Sequence, residues 1–272
     1  MQTRSLMALA LAVLTCAIAA GPASAAPTWA PASSAAIHPG VQTFTAGAQC
    51  TANFVFYDAS NVYLGQAAHC SGTGSATSTD GCTSGSLPTG TPVDIGGSKP
   101  GTMVYNSWLT MQSHAEKNVD TCAYNDLALV KVDPADVGKV NPSIPFWGGP
   151  TGIDSNGTAV GDTILSYGNS SLRGGVTQLS PKQGKSIGDG GNGWSHDVYT
   201  VTPGIPGDSG SAFLNAQGQA LGVLSTVQLA PLAGSNGVGD VAKELAYANS
   251  TGGLAVTLAN GTEAFTGPLL PI

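Results

Sequence analysis

From residue 41 onward the chain is cut into short apolar runs by Gly, Ser, Asn and Asp, at 51–57, 61–67, 102–105 and 127–132, then at 158–167, 175–179, 197–201, 211–214 and 220–227. Runs of this length between turn residues, with almost no helical periodicity, specify antiparallel β structure. The stretch 133–157, rich in Pro and Gly, reads as the connection between two halves. One helix stands apart from the pattern at 240–248, where Val241, Leu245 and Ala248 share a face and Asp240 is placed as N-cap. Beyond it, 254–258, an Asn260-Gly261 turn and 262–265 read as a β-hairpin.

The first residues, Met1-Gln2-Thr3-Arg4, carry one positive charge, and the apolar run 6–20 that follows is too short to span a bilayer before Gly21-Pro22 ends it. Ala23-Ser24-Ala25 then supplies a small-x-small cleavage pattern, so residues 1–25 read as a secretory signal peptide and the expected location is extracellular. Residues 26–36 are small and Pro-rich, and 26–40 read as a short linker or propeptide. Cys16 leaves with the signal. The four cysteines that remain, Cys50, Cys70, Cys82 and Cys122, are an even number in an oxidising compartment and imply two disulfides, with three pairings open. None lies in a Cys-x-x-Cys pair, so no metal site is expected.

The whole chain carries a net charge of −7, and losing Arg4 leaves eight basic against sixteen acidic residues, or −8. With 9% charged residues and no Lys/Arg cluster, a nucleic-acid partner is not expected. No later apolar segment is long enough for a membrane, and there is no repeat at solenoid period.

Three short motifs carry chemistry. They are Gln66-Ala67-Ala68-His69-Cys70, then Asn125-Asp126-Leu127-Ala128-Leu129-Val130, then Pro206-Gly207-Asp208-Ser209-Gly210-Ser211. A serine hydroxyl is a weak nucleophile unless an imidazole takes its proton, and the imidazole works best when a carboxylate fixes its tautomer and stabilises its cation. All four histidines, His38, His69, His114 and His196, precede Ser209, which excludes the α/β-hydrolase order for this serine. A subtilisin-type order has only Asp58 ahead of His69, in no catalytic context. Asp120 rivals Asp126 for the carboxylate, but Asp126 opens an alternating strand-like run whereas Asp120 sits in a polar loop before Cys122.

In these motifs the chain resembles the chymotrypsin-like (trypsin-fold) serine peptidases, in particular their secreted bacterial branch, over about residues 49–245. The resemblance implies an all-β fold of two antiparallel six-stranded β-barrels with a short C-terminal helix. The N-terminal barrel would occupy 41–145, and the C-terminal barrel, with the helix and an extension, 146–272. It implies a serine endopeptidase acting on polypeptides through an acyl-enzyme, without a cofactor and as a monomer. Ser209 would be the nucleophile, His69 the general base and acid, and Asp126 the orienting carboxylate. The N–H groups of Gly207 and Ser209 would form the oxyanion hole. The alternative is a catalytically silent binding module on the same fold.

The resemblance also pairs Cys50 with Cys70, which leaves Cys82 for Cys122. Asp208 would be ion-paired behind the site, by Arg173 or by a new N-terminus near residues 37–41. Ser225 resembles the serine that bonds the orienting aspartate and opens the substrate-binding strand. The floor of the primary pocket falls on Pro203, six residues before Ser209, and Val227 stands on the pocket wall where wide-pocket relatives carry glycine. A pocket without a carboxylate and narrowed by Val227 implies small or medium apolar residues before the scissile bond. His196 and the 190–194 loop read as structural, with Trp194 a second candidate for a subsite, and 154–157 reads as a turn.

Overall fold

The computed structural model describes residues 26–75, 77–229 and 232–269; the proposed signal peptide lies outside the described residues. The apolar runs of the first half become β1 (Gln42–Thr45), β2 (Ala48–Thr51), β3 (Val55–Tyr57), β4 (Val62–Ala67), β5 (Pro92–Asp94), β6 (Gly101–Asn106) and β7 (Leu127–Lys131). Two short helices lie between β6 and β7: α1 (Ser107–Ser113) and α2 (Val119–Tyr124). The second half supplies β8 (Thr163–Tyr167), β9 (Pro181–Gly190), β10 (Ser195–Thr200), β11 (Ala212–Asn215), β12 (Ala220–Val227) and β13 (Asn236–Asp240). It ends in α3 (Val241–Ser250) and β14 (Thr257–Leu258).

The C-terminal lobe is a closed six-stranded antiparallel barrel in the order β10-β13-β12-β11-β8-β9. Ile164, Val198, Phe213, Leu221, Leu224 and Val238 fill its interior. The N-terminal lobe is an eight-stranded sheet in the order β14-β3-β4-β7-β6-β5-β1-β2. The all-β class, the two lobes and the helix near the C-terminus are as the sequence implies. The expected terminal hairpin does not form, because β14 pairs antiparallel with β3 in the other lobe (Thr257 opposite Tyr57, Leu258 opposite Phe56). The run at 175–179 is a 3₁₀ turn over Thr177–Leu179 instead of a strand.

β7 explains how the two lobes share one site. Its residues alternate, so Leu127 and Leu129 face the core between the lobes while Ala128 and Val130 face the interior of the N-terminal lobe. Fully burying each of these larger aliphatic side chains contributes roughly 1.5–3 kcal/mol, which fixes the register of the strand that Asp126 precedes. The segment 26–40 lies against the N-terminal lobe: Ile37 is fully buried, Trp29 packs edge-on against Tyr57, and the Ala30 N–H donates to the Val140 carbonyl at 2.9 Å. Helix α3 begins where the sequence places it, with Asp240 accepting from the Lys243 N–H at 2.7 Å.

Candidate active site

β4 runs directly into a single 3₁₀ turn, Ala68–Ser71, which carries His69 and Cys70. β4 and β7 are antiparallel with Ala67 opposite Leu127, so Asp126 arrives beside that turn. The Asp126 carbonyl accepts from the Ala68 N–H at 2.7 Å, and its Oδ1 accepts from the His69 N–H at 2.9 Å. Its Oδ2 meets His69 Nδ1 at 2.6 Å and accepts from Ser225 Oγ at 2.6 Å. With Nδ1–H donating to a carboxylate, the ring keeps Nε2 as an acceptor. Burial of the ring pulls the His69 pKa down, but the charge and hydrogen bond of Asp126 outweigh it and raise the pKa above its ordinary value. The rival Asp120 is committed elsewhere, accepting from Asn192 Nδ2 at 2.5 Å.

Ser209 lies in the loop between β10 and β11, and that loop is stitched to the other lobe. The Gly207 carbonyl accepts from Gln49 Nε2 and Thr51 Oγ1, each at 2.8 Å, and the Ser209 carbonyl accepts from the Thr51 N–H at 2.8 Å. Gly207 has φ +93°, and a Cβ there would sit 2.4 Å from Gln49 Oε1, so only glycine makes this turn without strain. The N–H groups of Gly207 and Ser209 have no acceptor among the described residues. His69, Ser209, Ser225 and Val227 line one cleft of about 690 Å³ between the lobes. The Ser209 hydroxyl and His69 Nε2 are without a hydrogen-bond partner among the described residues, the loose arrangement that such pairs often have before a substrate closes them.

Behind Ser209, Asp208 is fully buried and meets two cations. Its Oδ2 lies 2.7 Å from Arg173 Nη2 and 3.1 Å from Lys182 Nζ, while Oδ1 accepts from the Ser170 N–H at 2.9 Å. Arg173, one of the two partners open from the sequence, is the one that reaches Asp208; Ile37 is packed in the N-terminal lobe. Lys182 was not expected. Its side chain is fully buried, and burial, with the neighbouring Arg173 charge, holds its pKa below the ordinary lysine value against the pull of Asp208. The sequence signal was faint, since Pro181-Lys182-Gln183-Gly184-Lys185 reads as a polar loop while burial alternates along it.

The predicted pocket residues divide. Ser225 and Val227 line the cleft together with Ile205 and Leu224, and Val227 is half-exposed there. Pro203 is not brought into the lining: its carbonyl turns to accept from Arg173 Nη2 at 2.8 Å, and Ile205 and Pro206 take the wall instead. Among the described residues that line the cleft, His69 has the one ionisable side chain. Trp194 also stays outside the cleft, packed edge-on against Tyr247 and under Lys243. Asp154 caps its own turn, accepting from the Asn156 N–H at 2.8 Å and from Asn215 Nδ2 at 2.8 Å.

Cys50 is bonded to Cys70, and Cys82 to Cys122. Both groupings of metal-ligating residue types, Cys50-His69-Cys70 and Asp80-Cys82-Cys122, consist of one of these disulfides and one neighbour, so neither retains a thiolate to offer a metal. His196, read from the sequence as structural, lies outside the cleft lining. It is fully buried, with Asp189 Oδ1 2.7 Å from Nδ1 and Asp240 Oδ2 3.1 Å from Nε2. A carboxylate against each nitrogen favours the imidazolium. Burial opposes this, and the two carboxylates outweigh it, raising the pKa.

No protein-family model matches the chain, and no curated protein matches its sequence. Among solved structures it is similar to protease A of Thermobifida fusca, with a TM-score of 0.54 and 19% identity over 84% of this chain and 100% of that one. It is also similar to a glutamic-acid-specific serine protease, with a TM-score of 0.51 and 19% identity over 82% of this chain and 100% of that one. The fold is therefore the chymotrypsin-like (trypsin) fold of serine peptidases, the one that the three motifs imply.

Proposed function

We propose that the protein is a secreted serine endopeptidase that hydrolyses polypeptides through an acyl-enzyme on Ser209. The observation that carries this reading is the 2.6 Å contact between His69 Nδ1 and Asp126 Oδ2, in a cleft whose wall also presents Ser209. His69 Nε2 takes the Ser209 proton as Oγ bonds to the scissile carbonyl carbon. The carbonyl π electrons move to oxygen, and the resulting oxyanion accepts from the N–H groups of Gly207 and Ser209. Asp126 stabilises the imidazolium, which then gives its proton to the leaving amine as the C–N bond breaks. Water repeats the sequence on the ester, with His69 again as base, and releases the new carboxyl group and free Ser209.

In this reading residues 1–25 are a signal peptide, 26–40 a linker or propeptide, 41–145 the lobe carrying His69 and Asp126, and 146–272 the lobe carrying Ser209 with an extension whose strand Thr257–Leu258 returns to the first lobe. Export is supported by the N-terminal pattern and the two disulfides. Among the described residues, no helix is long and apolar enough to cross a membrane. A substrate lysine, arginine or glutamate would enter a cleft lined by Ile205, Leu224 and Val227 without a charge partner, so small or medium apolar residues are preferred before the scissile bond.

A fluorophosphonate probe tests the reading. It should label the purified protein at Ser209 and fail on Ser209→Ala, while peptide hydrolysis falls by orders of magnitude in Ser209→Ala, His69→Ala and Asp126→Asn. The Ser209/His69 double variant should lose no more than about what either single variant loses, because the groups act as one unit. Absence of labelling on the intact protein would favour a silent binding module; losses that multiply would break the joint role.

A further inference from the structure

Helix α3 buries Val241, Leu245 and Ala248 against the lobes, and on the same face it buries a carboxyl, Glu244, with no exposed surface. An apolar side chain of similar size would meet no desolvation penalty there. Glu244 spends one oxygen on the orienting residue of the candidate triad: Oε1 accepts from the Asp126 N–H at 2.8 Å. Space for this is reserved on the facing strand, where a Cβ on Gly239 would lie 2.5 Å from Glu244 Oε1 and 2.9 Å from the Tyr124 carbonyl. The helix is fixed one turn earlier, since Asp240 caps it and is itself held by His196 Nε2 at 3.1 Å.

We propose that Glu244 is a positioning residue for the Asp126–His69 pair, holding the Asp126 peptide from behind as a hydrogen-bond acceptor. The inference rests on the peptidase reading above. Among the described residues neither oxygen of Glu244 meets a cation, and Oε2 has no hydrogen-bond partner. The titratable groups around it are Asp126 before β7, Asp240 at the cap of α3, and Tyr105 on β6. Burial raises the Glu244 pKa well above the carboxylate range; the Asp126 N–H opposes this, and the charges of Asp126 and Asp240 reinforce it. Asp126 is thus bonded on three sides of one residue. Its side chain faces His69 and Ser225, its carbonyl faces Ala68, and its N–H faces Glu244.

Glu244→Leu keeps the buried volume and removes the acceptor. It should lower kcat by about 10²-fold, the cost of a small misplacement of reacting groups, with KM within about twofold. The His69 ring, followed by proton NMR, should titrate at lower pH than in the wild type. Glu244→Gln retains the acceptor without a charge and should hold kcat within about threefold, with the His69 midpoint unmoved. If Glu244→Leu does not fold, Glu244→Asp, one methylene short of the Asp126 N–H, should give the same signature. A Leu or Asp variant with wild-type kcat and an unmoved His69 midpoint, whatever its stability, would overturn the proposal, as would a Gln variant as impaired as the Leu variant. The NMR titration needs no turnover. A wild type that hydrolyses no peptide would end the peptidase reading, while the His69 midpoint would still decide whether Glu244 positions the pair.

Discussion

Replacing Asp208 by Asn removes one negative charge from a place where two cations depend on it. The Lys182 side chain is fully buried and that of Arg173 is 10% exposed, so water screens neither. Stripping one partner from a buried ion pair costs about 3–5 kcal/mol. Lys182 can shed its proton to escape part of that cost, but Arg173 cannot, so the arginine sets the lower bound of the loss. Lys182→Met should behave in the opposite way. It keeps the stem, removes the surplus cation and leaves Arg173 paired with Asp208; the lost contacts to the Thr202 carbonyl and Asp208 Oδ2 are offset by relief of a buried charge, so stability should change by no more than about 1 kcal/mol. The sign follows from the lowered lysine pKa: the folded state disfavours the charged form at neutral pH, and the penalty fades as pH rises through the folded value toward the unfolded one. Urea unfolding of both variants in a Ser209→Ala background, with disulfides intact, measures the difference. At an m value of about 3 kcal/mol/M the Asp208→Asn midpoint should fall by roughly 1–1.7 M. A fall below about a third of that, or an equal fall for Lys182→Met, would refute the view that one carboxylate serves two buried cations.

Three further outcomes are expected. Because the folded His69 pKa is raised and the neutral ring accepts the proton, kcat/KM should fall as pH drops through a midpoint above the ordinary histidine value of about 6.5; a midpoint below it in a pH-rate profile would contradict the Asp126 contact. The same pair adds stability below the unfolded histidine value and loses it as pH rises through the folded one. The Cys82→Ser/Cys122→Ser variant should lose about 2–4 kcal/mol in thermal unfolding, since it opens a loop with a sequence separation of 40; an unchanged midpoint would remove that bridge from the stability argument. Val227→Gly should admit Phe or Leu before the scissile bond with a graded gain, each methylene worth about 1–3 kcal/mol. A wild-type peptide-library profile dominated by Arg, Lys or Glu would overturn the apolar-cleft model.

His69, Asp126 and Ser209 are legible because each sits in a local pattern that states its setting: a cysteine beside the histidine, an alternating run after the aspartate, glycines around the serine; Ser225 is reached only through the family resemblance. Lys182 and Glu244 are not legible, since a charged residue is read as exposed until its partner across the fold is known. Here those partners, Asp208 and the Asp126 peptide, lie 26 and 118 residues away in sequence. β9 and β13 were hidden by their content, with glycines and polar residues filling positions that only barrel closure buries. Helices α1 and α2 span only 7 and 6 residues, too short for a period. Their one signal is the asparagine before each, since Asn106 and Asn118 accept from two helix N–H groups apiece. Pro203 was misplaced because counting back from the nucleophile gives the position of a residue but not the direction in which its loop turns.

The return of β14 to the N-terminal lobe has a bearing on how copies of this protein meet one another. Without it β3 would offer an unpaired row of N–H and C=O groups, the kind of border along which extended chains add themselves strand by strand. Thr257–Leu258 occupy that border, and the Ala259 N–H extends the seal to the Val55 carbonyl at 2.9 Å. The chain behind them is fastened as it passes the connection between the lobes, with the Gly261 N–H on Pro150, the Thr262 N–H on Ser143 Oγ and the Thr266 N–H on Trp147. The protein carries its own edge guard against aggregation through β3, supplied by the same polypeptide.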